Sequence, residues 1–303
     1  LLLYLFIMKS KLYTKRYFLL VILSLGSFLN VSCQETTYKP VKYPNNYKAQ
    51  IDVVYTKIEH WEGRMDIYTN PISEKPTPIV INIHGGGWNH GVKESQTGFG
   101  YFFKKGFAVA NVEYRLVDVS PAPGAIEDLR CALIYLYKHA KALNIDTNKI
   151  VVMGGSTGGH LALMTGLLGN NRKFDTNCEY DTKIKIAAII DKYAPSDLTL
   201  MIKGSVKRWL GDAYKNKEFI ESVSPFYYVD KNSPPILIIH GNKDPYVPYQ
   251  QSVLLYEKLK ANNIKTELVT IEGGGHGKFS KEQRLMLNEK IWRFLNELEL
   301  TKD

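Results

Sequence analysis

Cysteine is scarce in this chain: Cys33, Cys131 and Cys178 are the only three in 303 residues. No pair is spaced as CxxC and none joins a Cys/His cluster, which argues against a zinc site or a disulfide framework. A chain of this length buries enough apolar surface to fold without one. Cys131 falls in an apolar helical pattern and reads as a buried thiol. Cys178 lies in a polar connector; an oxidising compartment would permit a bridge to Cys131, but two cysteines do not establish it. Internal repeats, low-complexity tracts and an apolar run of the ~18 residues a membrane span needs are also lacking. No basic run is interleaved with aromatics, so nucleic acid is not expected as a partner.

Acidic residues are missing altogether from residues 1–32, which hold Lys9, Lys11, Lys15 and Arg16. The formal net charge of +9 therefore falls to +5 beyond this stretch, with 35 basic against 30 acidic residues. A basic segment, an apolar run over 17–29 and then Asn30-Val31-Ser32-Cys33 fit a secretory signal spanning 1–33. Met8 is the only methionine ahead of the basic stretch, so residues 1–7 are expected to lie upstream of the true start. Cys33 after a small residue resembles the lipobox of bacterial lipoproteins, with Asn30 where that motif usually has Leu. The expectation is an exported protein, periplasmic or anchored to the outer membrane or cell surface through a lipidated Cys33. The alternative is a plain secreted protein cut nearby.

Residues 34–48, with Pro40, Pro44, Asn45 and Asn46, read as a tether, and 49–303 as one domain. Segments 51–57 and 64–69 read as an antiparallel pair. Short apolar, β-branched runs at 79–83, 107–112, 150–153, 184–190, 236–239 and 266–271 read as strands. Helical patterns at 125–143, 161–168, 253–260 and 281–298 alternate with them. That alternation predicts an α/β fold with a mostly parallel central sheet and helices on both faces. Residues 195–233 lack sheet character and are a candidate cap.

The sharpest local signal is Gly154-Gly155-Ser156-Thr157-Gly158, between a β-run and a helical pattern. Gly-x-Ser-x-Gly there describes a nucleophile elbow: the serine sits on a tight strand-to-helix turn, and small neighbours let backbone pack closely around it. After the strand at 79–83 comes His84-Gly85-Gly86-Gly87-Trp88. A glycine run can bring bare backbone N–H groups to an oxyanion, so the amides of Gly86, Gly87 and Thr157 are the expected oxyanion hole. His84 is expected to brace this loop.

Serine needs a base, and the base needs a carboxylate to set its tautomer. Asp244, in His240-Gly241-Asn242-Lys243-Asp244-Pro245, and His276, in Gly273-Gly274-Gly275-His276-Gly277, each follow a strand and complete the order Ser156, Asp244, His276. Asp191 and Asp197 are the rival acids. Among the other histidines, His60, His90 and His139 read as surface residues, His160 as packed and His240 as structural. Glu113 and Arg115 read as a structural ion pair or hydrogen-bonding site, and Asp128 as a local tether. Trp88 and Tyr246 are candidates to line a ring-shaped substrate, with wall or packing roles as the alternative. The chemistry calls for no metal and no cofactor.

Taken together, His84–Trp88, Glu113-Tyr114-Arg115-Leu116, Ala125-Ile126-Glu127-Asp128, Ser156-Thr157-Gly158-Gly159-His160-Leu161, Ala194-Pro195-Ser196-Asp197-Leu198, the segment 240–248 and 274–277 occur in one order. Over residues 50–298 this set resembles the bifunctional feruloyl and acetyl xylan esterases, in the hormone-sensitive-lipase-like branch of the α/β-hydrolases. The resemblance implies an α/β-hydrolase fold, a Ser156–His276–Asp244 triad and removal of acetyl or feruloyl groups from plant polysaccharide. Thr157 departs from the alanine frequent after the nucleophile. A small-molecule carboxylesterase or arylformamidase-like hydrolase is the second reading, because formamidases share the His-Gly-Gly-x-Trp pattern. A non-catalytic sugar-binding relative is the third.

Overall fold

The computed structural model describes residues 38–181 and 183–301. The expected leader, Cys33 and the start of the tether lie outside the described residues. The rest of the tether has no regular element until strand β1 opens at Lys48. The residue just before β1 is anchored, because Tyr47 is buried and its hydroxyl donates to the carbonyl of Phe107 at 3.0 Å.

Eight strands form one sheet: β1 Lys48–Ile58, β2 Trp61–Thr69, β3 Thr77–Ile83, β4 Ala108–Val112, β5 Ile145–Gly155, β6 Ala188–Lys192, β7 Ile236–Gly241 and β8 Thr266–Ile271. Their order is β1-β2-β4-β3-β5-β6-β7-β8. The β1–β2 and β2–β4 pairings are antiparallel, and the remaining pairings are parallel. The helices are α1 Gly100–Lys104, α2 Gly124–Lys138, α3 Ala140–Leu143, α4 Thr157–Leu167, α5 Gly204–Leu210, α6 Lys217–Ser222, α7 Gln250–Ala261 and α8 Lys281–Asn296.

Two-residue periodicity divides the central strands between two cores. Ile79, Ile81 and Ile83 of β3 pack with α2, α4 and α7, whereas Val80 packs with the phenylalanines of α1 and with Leu287, Ile291 and Phe294 of α8. Both faces of the sheet are thus covered, which is why the parallel strands read as unbroken apolar runs. Ser280 and Gln283 close a capping box at the start of α8, a feature worth about 1 kcal/mol.

Three local expectations are corrected. Cys131 is not a free thiol: it forms a disulfide with Cys178, with Cα atoms 5.4 Å apart. The bond ties the long α4–β6 connector to α2, and closing a loop of that size contributes about 2–4 kcal/mol. The helical pattern at 125–143 is two helices, separated at His139. Strand β6 starts at Ala188, while Ile184 and Ile186 serve the core from irregular backbone. Residues 195–233 fold as α5, α6 and three 3-10 turns inserted between β6 and β7.

Candidate active site

Ser156 ends β5 and begins α4 with φ 56° and ψ −124°, a conformation that side chains other than glycine rarely adopt. The glycines around it are required by close approach. A Cβ on Gly154 would overlap the backbone of Gly158, and one on Gly158 would overlap the carbonyl of Ile83. The turn is pinned by Ser156 N–H donating to Lys192 O at 2.8 Å and by His160 N–H donating to Ser156 O at 3.0 Å. It sits at the N-terminus of α4, where the helix dipole favours developing negative charge.

Ser156 Oγ lies 2.8 Å from His276 Nε2, and His276 Nδ1 lies 2.6 Å from Asp244 Oδ2. An ionised carboxylate can only accept, so Nδ1 carries the proton and Nε2 is free to accept from the serine hydroxyl. Asp244 is buried, which works to raise its pKa. Hydrogen bonds from His240 and His276 and from the amides of Val247 and Tyr246 outweigh burial and hold the carboxyl well below the usual range. The turn bearing Asp244 and the loop bearing His276 are stitched together, with Lys243 N–H donating to Gly274 O at 3.0 Å and Gly273 N–H to Asn242 Oδ1 at 2.8 Å. The rival acids are engaged elsewhere: Asp191 accepts from Ala194 N–H, and Asp197 caps the turn Leu198–Leu200.

The glycine loop passes directly against the elbow. A Cβ on Gly85 would stand 3.5 Å from Ser156 Cβ. Gly86 and Gly87 have φ of 128° and 59°. Their amides and that of Thr157 find no acceptor among the described residues, as amides reserved for a ligand oxygen would. His84 stacks on Tyr114 at 4.3 Å and its Nδ1 donates to Gly85 O at 2.8 Å; burial lowers its pKa, so it braces the loop as a neutral ring.

Of the two aromatic candidates, Tyr246 is 67% exposed and sets its ring edge-on to His276 at 5.4 Å. Trp88 is a correction. It is 1% exposed, stacked on Trp209 with His160 edge-on to it, and is a wall of the loop rather than a surface for substrate. Arg115 is also re-assigned: its guanidinium pairs with Asp128 and Glu127, not Glu113.

Two neighbours of the triad extend the sequence reading, which took His240 as structural and passed over Tyr193. His240 sits 3.2 Å from Asp244 Oδ2 and 3.1 Å from Val247 O through Nε2, while its Nδ1 accepts from Ser252 Oγ at 2.7 Å. Its four-residue spacing from Asp244 was the available clue. Tyr193, at φ 47°, packs edge-on to His276 at 4.8 Å, and its hydroxyl fills the space a Cβ would take on Gly155 or Gly277. No sequence signal marked it. Among the described residues, no cluster of three or more His, Cys, Asp or Glu could hold a metal, and no helix is long and apolar enough to cross a membrane.

Sheet order, elbow and loop order define an α/β-hydrolase fold. The BD-FAE family profile matches residues 65–259, well over half of the chain, and the chain belongs to that family. A second profile, TAP-like protein, matches residues 220–303. A truncated form of carbohydrate esterase from gut microbiota superposes with a TM-score of 0.73 at 25% identity, covering 86% of this chain and 98% of its own. The acetyl ester-xyloside bifunctional hydrolase from Caldicellulosiruptor lactoaceticus gives 0.71 at 25% identity, covering 80% and 91%. Among curated relatives, Esterase LipC of Mycobacterium tuberculosis is 26% identical over 219 residues, covering 67% of this chain and 53% of its own length. The chain thus spans about half the length of the curated relatives it matches.

Proposed function

We propose that this protein is a serine carboxylic ester hydrolase that removes acetyl or feruloyl groups from plant polysaccharide such as xylan. The observation that carries the reading is the unbroken hydrogen-bonded line from Ser156 Oγ through His276 to Asp244 on a nucleophile elbow. Ser156 Oγ attacks the ester carbonyl as His276 Nε2 takes its proton. Asp244 holds the imidazole and stabilises the imidazolium. The amides of Gly86, Gly87 and Thr157 receive the oxyanion. The alcohol departs with the proton from His276, and water then repeats the sequence on the acyl-enzyme. The carbohydrate assignment is supported by the names of the two structural relatives, a carbohydrate esterase and an acetyl ester-xyloside hydrolase, and by the open setting of the site, with Tyr246 exposed beside His276.

Export fits this role, since the polymer lies outside the cytoplasm, and the Cys131–Cys178 bond suits an oxidising compartment. In this reading Cys33 carries a lipid anchor. Labelling expressing cells with a fatty-acid analogue would attach label to the wild type and not to Cys33→Ser; an unlabelled wild type removes the anchor.

The deciding experiment is acetate release from acetylated xylan by the purified protein beside Ser156→Ala. Release by the wild type, reduced roughly 10³–10⁶-fold in the variant, is expected. Cleavage of p-nitrophenyl acetate without release from xylan would leave an esterase for small substrates, the reading that the plain esterase names of the curated relatives favour.

A further inference from the structure

The loop that is to hold the oxyanion is strained. Gly86, Gly87 and Trp88 have consecutive positive φ of 128°, 59° and 59°. Glycine accepts this; a bulky residue such as tryptophan does so only when its surroundings over-determine it. What surrounds Trp88 is therefore what sets the loop. Its indole lies parallel to that of Trp209, 4.7 Å between centroids and 11° between planes, and both are fully buried. His160 stands edge-on to both rings, at 5.1 and 5.3 Å. Burial lowers its pKa to about 4, so the cluster stays neutral at working pH.

Each ring belongs to a different part of the site. Trp88 is the last residue of the glycine loop. His160 lies on α4, four residues after the nucleophile. Trp209 lies on α5, in the segment inserted between β6 and β7. That segment meets the loop itself at Ser205 and is tied to the loop's surroundings at two further points. Ser205 stands where it would touch a Cβ on Gly87, at 3.1 Å; Val223 O accepts from His160 Nε2 at 2.8 Å; and Trp209 O accepts from Ala122 N–H at 2.8 Å. The far end of the loop is tied by Val117 N–H donating to Trp88 O at 2.8 Å.

We propose that Trp209 is a positioning residue for the oxyanion hole: by stacking on Trp88 it holds Gly86 and Gly87 in their left-handed conformation and so aims their amides at the site above Ser156. The inserted segment is then part of the rate-setting machinery and not only a cover. This rests on the ester-hydrolase reading for its kinetic consequence, but the loop-holding itself does not.

The test compares Trp209→Phe, which keeps a flat ring, with Trp209→Leu, which keeps apolar bulk without one; Trp209→Ala is added if it folds. With p-nitrophenyl acetate, Trp209→Leu is expected to lower kcat roughly 10²-fold, toward the loss seen when an oxyanion donor is removed, with KM within about threefold. Phe should recover most of that rate. Affinity for a trifluoromethyl ketone, whose adduct carries an oxyanion, should fall in step with kcat. Independently of activity, amide hydrogen exchange at Asn89, His90 and Val117, whose N–H groups bond to Gly86 and Trp88 carbonyls, should quicken about tenfold or more in the Leu variant and little in the Phe variant. Folded Leu and Phe variants with equal exchange at these amides would overturn the proposal, even if the wild type hydrolysed no ester. Equal kcat and ketone affinity would overturn its catalytic part.

Discussion

The carboxyl ends of two neighbouring strands each bury an aspartate. Asp191 is in the last turn of sheet on β6, and Asp244 stands three residues beyond the end of β7. Neither side chain meets solvent. Asp244 receives bonds on both oxygens, from two histidines and two backbone amides, and is held ionised. Asp191 receives one amide on Oδ1, its Oδ2 has no partner, and burial pushes its pKa to about 7. Both side chains are shielded, but Asp191 lies deeper and Asp244 has more donors, and the two differences act in the same direction on the charge. Only Asp244 also reaches His276, 2.6 Å from its Nδ1, so the candidate acid is the one that follows β7.

The comparison breaks most sharply under exchange to asparagine. Asp244→Asn should lower kcat by about 10⁴-fold, because the amide can no longer enforce the tautomer with the proton on Nδ1. Asp191→Asn should stay within about threefold of wild type in ester turnover. Comparable losses in the two variants would dissolve the distinction.

Next in size is a stability effect of opposite sign. A carboxyl whose folded pKa is raised stabilises fully below its unfolded value of 3.8, and that contribution is lost as pH rises toward 7. Asp191→Asn should therefore be more stable than wild type at pH 8, on the order of 2–4 kcal/mol, and should lose the slope between pH 4 and 7. Urea unfolding across that range reads it; a slope unchanged by the substitution would mean Asp191 is already ionised at low pH. Asp244, with its depressed pKa, acts the other way: its contribution is present above 3.8 and disappears as acid protonates it.

Smaller again is His240→Leu. Removing one donor to the carboxylate should destabilise the protein by about 1.5–3 kcal/mol at neutral pH and move acid unfolding to higher pH. Unaltered acid unfolding would show that the two amides and His276 suffice. The smallest effect is expected on the open side of the same site: Tyr246→Ala should raise KM roughly 2–10-fold with kcat little changed, and a fall in kcat instead would show the ring supporting His276 rather than substrate.

How much could be read in advance differs between these residues for a physical reason. The elbow, the glycine loop and the turns carrying Asp244 and His276 are legible because each needs glycines, for close backbone approach or a left-handed conformation, next to a strand marked by its own periodicity. Motif context points to Asp244 over Asp191, but both follow a strand, and the set of donors that distinguishes them comes from other segments. Trp88 and Trp209 illustrate the same limit. An aromatic beside a glycine loop looks like a substrate platform until its neighbour 121 positions away is seen to cover it.

By itself, the sequence determined the alternation of strands and helices and marked the candidate nucleophile, base and acid, each through a motif written within a few residues. Tertiary structure alone decided the Cys131–Cys178 bond, the Arg115–Asp128 pairing, the wedge of Tyr193 behind His276 and the protonation of the two buried aspartates. Those outcomes depend on distances between segments far apart in the chain, and contact energies, desolvation and hydrogen bonding act on distance in space rather than on separation in sequence.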